Sequence, residues 1–145
     1  MSEKKAHILQ LAWASGVFDS RALLPRSGYT VRLESVDEDL MKRFHATVNV
    51  GRITKRQKKG MARPLFLYQT MSMDDTRTLL LTVAPFLSAS RTKYCAELVA
   101  RIERNPIWQQ KNPEKAASLV TYPVQTAEAA TTEPSTTPVG LTATQ

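Results

Sequence analysis

The stretch AHILQLAWASGVFDSRALL, residues 6–24, decides how the rest of the chain is read. At helical spacing, Ile8, Leu11, Ala12, Ser15 and Gly16 form one stripe, with Leu9, Trp13 and Val17 beside it. The pattern predicts an amphipathic helix. Lys4 and Lys5 before an apolar run give the outline of a signal peptide. His7 and Gln10 interrupt that run, however, and the helical stripe explains it better. Ala12-x-x-x-Gly16 brings two small residues onto one face, where another backbone can approach. Ala12, Ser15 and Gly16 therefore suit a contact with a second copy, or a close contact within the chain.

Downstream, Pro25 and Gly28 mark a turn, after which Tyr29, Val31 and Leu33 alternate with Thr30, Arg32 and Glu34 as a half-buried strand. Ser35-Val36-Asp37-Glu38 has capping-box form and opens a second helix, with Leu40, Met41, Phe44 and Val48 as its apolar face. Two strands then flank a basic loop. Val48, Val50 and Ile53 suit the first, and Leu65, Leu67 and Gln69 alternate with Phe66, Tyr68 and Thr70 in the second. Ser72 caps a helix that runs to about Val83, Pro85 ends it, and Tyr94, Leu98 and Ile102 mark the last helix. The order αββαββαα predicts an α+β domain with an antiparallel four-stranded sheet.

The chain has 145 residues, with 20 Lys+Arg against 13 Asp+Glu, and it is 42% hydrophobic and 7% aromatic. Two independent cores are not expected at this length. The single cysteine, Cys95, excludes an intramolecular disulfide framework and a cysteine-based zinc site. No run of about 18 apolar residues exists, so no membrane partner is expected. The net charge of +7 is uneven: residues 1–104 hold 18 basic and 10 acidic side chains, and the remainder holds 2 and 3. We read 1–104 as the folded domain. Residues 105–120, with Ile107, Trp108 and Leu119, are a linker or a segment that docks on the domain or a partner. Residues 121–145 are a Thr/Ala/Pro-rich tail, which cannot bury enough apolar surface to offset its ordering entropy. A protein partner is one candidate for that tail.

Taken in order, these segments resemble the LAGLIDADG homing endonucleases, particularly the compact single-motif members. LAWASGVFDSRALL is similar to a degenerate signature helix, with the nine-residue motif on residues 14–22. VDEDLMKRFHATVNVGRI resembles the family's second helix and following strand. MDDTRTLLLTVAPFLSASRTKYCAELVARI resembles its third helix, its Pro-aromatic-Leu break and its last helix. The resemblance covers about residues 6–104. It implies a homodimer packed through the signature helices, a sheet laid along the DNA major groove, and a bacterial, phage-infected or organellar setting in cytoplasm or nucleoid. It also implies acidic residues at the helix ends that hold divalent metal.

The residue expected to carry that metal is missing. The family's metal-binding carboxylate belongs at the eighth motif position, where this chain has Arg21; Ala22 replaces the glycine after it, and Asp19 keeps the sixth-position acid. A guanidinium is permanently cationic and offers no lone pair to Mg²⁺. Two-metal cleavage needs carboxylates to hold the ions. The expectation is therefore no cofactor and little or no nuclease activity, with Mg²⁺ required only if Asp19 or another acid restores catalysis. Arg21 suits a phosphate contact or an exposed turn.

Lys55, Arg56, Lys58, Lys59 and Arg63 crowd one hairpin, and Arg26, Arg32 and Arg52 lie on or near neighbouring strands. Such a cluster suits phosphates, with salt-dependent affinity, and strand arginines suit guanine edges in a major groove. A solvated basic loop is the plain alternative. Phe66 and Tyr68 suit base stacking or, more commonly for strand aromatics, the core. Asp37, Glu38, Asp39, Asp74 and Asp75 sit in first helical turns and read as caps. His7 and His45 have no cysteine or second histidine at metal-ligand spacing, and Cys95, in the middle of a helix, reads as buried packing rather than a nucleophile. The leading expectation is a homodimeric nucleic-acid-binding protein, with double-stranded DNA preferred and structured RNA as a variant. An active endonuclease and a scaffold within a larger protein or ribonucleoprotein assembly are the alternatives.

Overall fold

Three side chains set where the first helices begin. Ser2 accepts the Lys5 N–H at the start of α1 (Glu3–Arg21). Asp37 accepts the Leu40 N–H at 3.0 Å and opens α2 (Glu38–Val48). Ser72 accepts the Asp75 N–H at 3.1 Å and opens α3 (Met73–Val83). Each helix also has an acidic residue in its first turn, where it complements the helix dipole. The cap of α2 is Asp37 rather than the Ser35 of the expected capping box; the Ser35 hydroxyl instead accepts the Asp37 N–H. Pro85 ends α3 in a single 3-10 turn, and α4 (Ala89–Glu103), α5 (Pro106–Lys111) and α6 (Pro113–Ala117) follow. The computed structural model describes residues 2–119, so the tail expected at 121–145 lies outside the described residues. No described helix is long and apolar enough to cross a membrane.

The strands β1 (Arg32–Ser35), β2 (Arg52–Arg56) and β3 (Leu65–Gln69) form an antiparallel sheet in the order β1-β3-β2. The protein is thus α+β as expected, but the described sheet has three strands rather than four. An isolated Leu23–Arg32 bridge stands where the extra strand was expected. Pro25, two residues on, has no N–H to donate, and the carbonyls of Pro25, Arg26 and Gly28 are taken by side chains of α4. The first strand of the second hairpin also starts later than the sequence suggests. Val48 closes α2 and Val50 lies in the turn that follows.

One face of the sheet packs on the helices. Leu33 and Tyr68 meet Phe18 of α1, Phe44 of α2, Leu80 of α3 and Ile102 of α4 in a single core. A buried hydroxyl pair pins that layer. The Thr76 hydroxyl lies 2.7 Å from both the Thr70 hydroxyl and the Tyr29 carbonyl, and Thr70 Oγ1 accepts the Val31 N–H at 3.0 Å. This joins β1, β3 and α3 without leaving those polar groups unpaired.

The β2 start is controlled from beneath. Asn49 ends α2 in the left-handed region (φ 56°), and Gly51 follows with φ +87°. A Cβ on Gly51 would lie 2.7 Å from the Tyr68 ring and 2.8 Å from the Gln69 carbonyl oxygen. The Tyr68 hydroxyl donates to the Val50 carbonyl at 2.7 Å, and its ring meets Phe44 edge to face at 5.0 Å. Burial, reinforced by the Asp75 carboxylate, pushes the Tyr68 phenol well above its ordinary pKa. It therefore stays a donor throughout the working pH range.

The chain after Arg104 packs on α3 and α4. Trp108 is 1% exposed, and its indole N–H donates to Asp74 Oδ1 at 3.3 Å. Lys115 pairs with the same carboxylate at 2.7 Å. Beside Trp108 lies a nearly buried ion pair, Arg77 Nε to Glu103 Oε2 at 2.9 Å, with the guanidinium 5.1 Å from the indole centre.

Both contacts can be checked by unfolding. Trp108→Ala should cost about 3–5 kcal/mol, because it opens a cavity beside the ion pair. A urea midpoint within error of the parent protein would show that the segment after Arg104 is not part of the cooperative unit. Gly51→Ala should cost about 2–4 kcal/mol, combining left-handed strain with overpacking against Tyr68. The same measurement checks it, and an unchanged midpoint would show that Tyr68 gives way to the added methyl group.

Candidate nucleic-acid interface

Strand register assembles the candidate surface. Arg32, Gln69 and Arg52 are direct cross-strand partners in one row, followed by Glu34, Leu67 and Thr54, and then by Leu65 with Arg56. Alternation places this set on the face opposite Leu33, Tyr68 and Ile53. Arg32, Arg52 and Arg56 are exposed on it, and Glu34 is the one acid among its strand residues. The outcome is a pleated, cation-rich face on three strands whose opposite side is packed on the core.

The predicted residues do not all meet here. Lys55 is exposed, but its register partner is Phe66, which pairs with Ser35 on its other side, so Lys55 belongs to the other side of the sheet. Lys58, Lys59 and Arg63 lie in the exposed loop beyond β2, where Gly60 (φ +92°) and a Met61 N–H to Lys58 carbonyl bond make the turn. Arg26 sits in the loop before β1 and is turned toward α4 rather than being part of the row. Phe66 and Tyr68 are buried, so base stacking on them is excluded in this conformation. Gln69 is a member of the row that no sequence pattern singles out. Its place between two arginines depends on the pairing of all three strands, which no local pattern announces.

The end of α1 does not fit a divalent cation. Asp19 Oδ1 accepts the Ser88 hydroxyl at 2.9 Å and lies 3.9 Å from Arg91 Nε, while Arg21 is exposed in the last turn and Ala22 is buried. One carboxylate already held by a hydroxyl and a guanidinium, with another cation two residues on, is a poor donor set for Mg²⁺. Among the described residues, no three His, Cys, Asp or Glu side chains gather as a metal site.

The small-residue stripe of α1 divides between two sides. Ser15, expected at a dimer face, is fully buried within the chain, and its hydroxyl donates to the Leu11 carbonyl at 2.7 Å. Ala12 is half-buried. Gly16 is exposed, with nothing within 4 Å of where a Cβ would stand. The outward stripe is therefore Ile8, Leu9, Ala12 and Gly16, with Ile8 47% and Leu9 56% exposed.

No protein-family model matches this sequence, and no curated protein does. Among solved structures, the chain is similar to the homing endonuclease I-CvuI in complex with its target (Sro1.3) in the presence of 2 mM Ca. The TM-score is 0.53 at 14% identity, over 76% of this chain and 74% of that one. A second structure of I-CvuI, with the I-CreI target and 2 mM Mg and with its DNA not cleaved, aligns with a TM-score of 0.47 at 12% identity, over 79% and 99% of the two chains. At that identity the likeness is one of architecture: this chain has a fold similar to that of a homing endonuclease.

Proposed function

We propose that this chain is a LAGLIDADG-like nucleic-acid-binding protein that acts as a homodimer and does not cleave its target. The observation that carries the reading is the Arg32–Gln69–Arg52 row on the outer sheet face, with both arginines exposed, Gln69 half-buried between them and Leu67 of the next row buried. Adjacent strands are about 4.8 Å apart, so the row spans about 10 Å, a width that enters a major groove of about 12 Å. Arginine suits the O6 and N7 acceptors of guanine, and glutamine suits the N6 and N7 edge of adenine. Double-stranded DNA is thus the preferred partner, in keeping with the DNA complex of I-CvuI. Lys58, Lys59 and Arg63 would add sequence-independent phosphate contacts.

Arg21, and the engagement of Asp19 by Ser88 and Arg91, support the loss of cleavage. The exposed Ile8, Leu9, Ala12 and Gly16 stripe supports pairing of two copies, which would present two half-sites to one duplex.

Selection from random pools of duplex DNA and structured RNA, read by band shift at several salt concentrations, tests the binding reading. Duplex DNA should be retained, with affinity falling as salt rises. Arg32→Ala with Arg52→Ala should relax sequence preference, whereas Lys58→Glu with Lys59→Glu should weaken all sequences alike and lower the salt slope by about 2. Retention of RNA alone would move the partner to RNA, and retention of neither pool would overturn nucleic-acid binding. Incubation of the selected duplex with Mg²⁺ or Mn²⁺ should leave it intact; site-specific cutting would mean that the chain is an active endonuclease.

Sedimentation equilibrium checks the pairing. The parent protein should behave as a dimer and Ile8→Glu with Leu9→Glu as a folded monomer. A monomeric parent at micromolar concentration would remove the homodimer.

A further inference from the structure

A cavity of about 380 Å³ opens between the end of α1 and the first turns of α4. Leu23 and Leu24 line one part of it, and Arg26, Ser90, Arg91 and Tyr94 bring polar groups to it. Among the described residues, no carboxylate lines it. It is a shallow cleft, widely open to solvent.

The loop that carries Arg26 is held against α4 through its main chain. Arg101 Nη1 donates to the Arg26 carbonyl at 3.1 Å, Arg101 Nη2 to the Gly28 carbonyl at 2.8 Å, and the Tyr94 hydroxyl to the Pro25 carbonyl at 3.4 Å. The Arg101 guanidinium also lies 5.5 Å from the centre of the Tyr29 ring. Its charge is therefore met by neutral carbonyls and a ring face. Among the described residues, the one ion pair made by Arg26, Arg91 or Arg101 is the Arg91–Asp19 pair at 3.9 Å, and the same Asp19 oxygen accepts the Ser88 hydroxyl. Of the two guanidinium groups that line the cavity, Arg91 has one carboxylate partner and Arg26 has none among the described residues.

We propose that this cavity binds a phosphate group, held by Arg26 and Arg91, with the attached sugar or base against Leu23 and Leu24. Guanidinium groups grip phosphate through paired N–H donors, and the Ser90 hydroxyl supplies a further donor at the same opening. The phosphate can come from a nucleic-acid backbone or from a free mononucleotide. The first source rests on the binding reading above, and the second does not.

The test uses the full 16.2 kDa chain and the side-chain Nε–H resonances of its arginines. Titration with inorganic phosphate and with adenosine 5′-monophosphate should shift the Arg26 and Arg91 signals saturably, the mononucleotide saturating at lower concentration. Arg26→Gln with Arg91→Gln should abolish saturation. Arg26→Gln alone, at an exposed position, should weaken it severalfold while leaving the circular dichroism spectrum unchanged. If the double variant also lowers the salt slope of duplex binding by about 1–2, the ligand is backbone phosphate. If duplex binding is unchanged, or absent in the parent protein as well, while the mononucleotide still saturates, the ligand is a free phosphate compound. Failure of both probes to produce a saturable shift, or shifts that persist in the double variant, would overturn the site.

Discussion

The contact between Tyr68 and Gly51 governs where the cationic face can form. Tyr68 occupies the central strand, so its position is set by both neighbours and by Phe44 from α2. Its hydroxyl takes the Val50 carbonyl, and the space above its ring admits only a residue without a Cβ. The chain leaving α2 is thereby forced through two left-handed residues, Asn49 and Gly51, before Arg52 enters β2. A shift of one residue would turn Arg52 and Arg56 toward the core and carry Ile53 to solvent. The polar surface is therefore specified from its buried side.

This division of labour explains which parts were legible in the sequence. Helix starts were readable because capping is local: Ser72 and its following acids announce α3, and the acidic turn after Ser35 announces α2 even though Asp37 takes the cap. Tyr29 to Leu33 gave the correct inward and outward alternation, including the outward direction of Arg32. Strand limits were harder. Val48 and Val50 have strand-like composition, but Val48 completes the apolar face of α2 and Val50 serves the turn held by Tyr68.

Long-range pairing was not legible at all. Gln69 carries no local signal for a site, and its row exists only because β3 pairs with both other strands. Likewise, Lys55 belongs to a dense run of charge, yet its register sends it to the opposite side from Arg52 and Arg56. Charge density along the chain singles out this hairpin and cannot sort its faces. Ser15 shows the same limit on α1, since a stripe of small residues does not reveal which members a neighbouring element already covers.

The Arg77, Glu103 and Trp108 cluster constrains how this chain can change over generations. Losing either ion partner strands a buried charge, a loss of about 3–5 kcal/mol in a fold whose whole margin is typically about 5–15 kcal/mol. Single steps away from the pair therefore take a large share of that margin, while joint replacement by apolar residues of similar volume is tolerable. The three positions lie on α3, α4 and α5, so they form an epistatic unit that ties the short C-terminal helices to the domain. Divergence should be freer on the sheet's outer face, where Arg32, Gln69 and Arg52 can each be exchanged without disturbing the core that holds them.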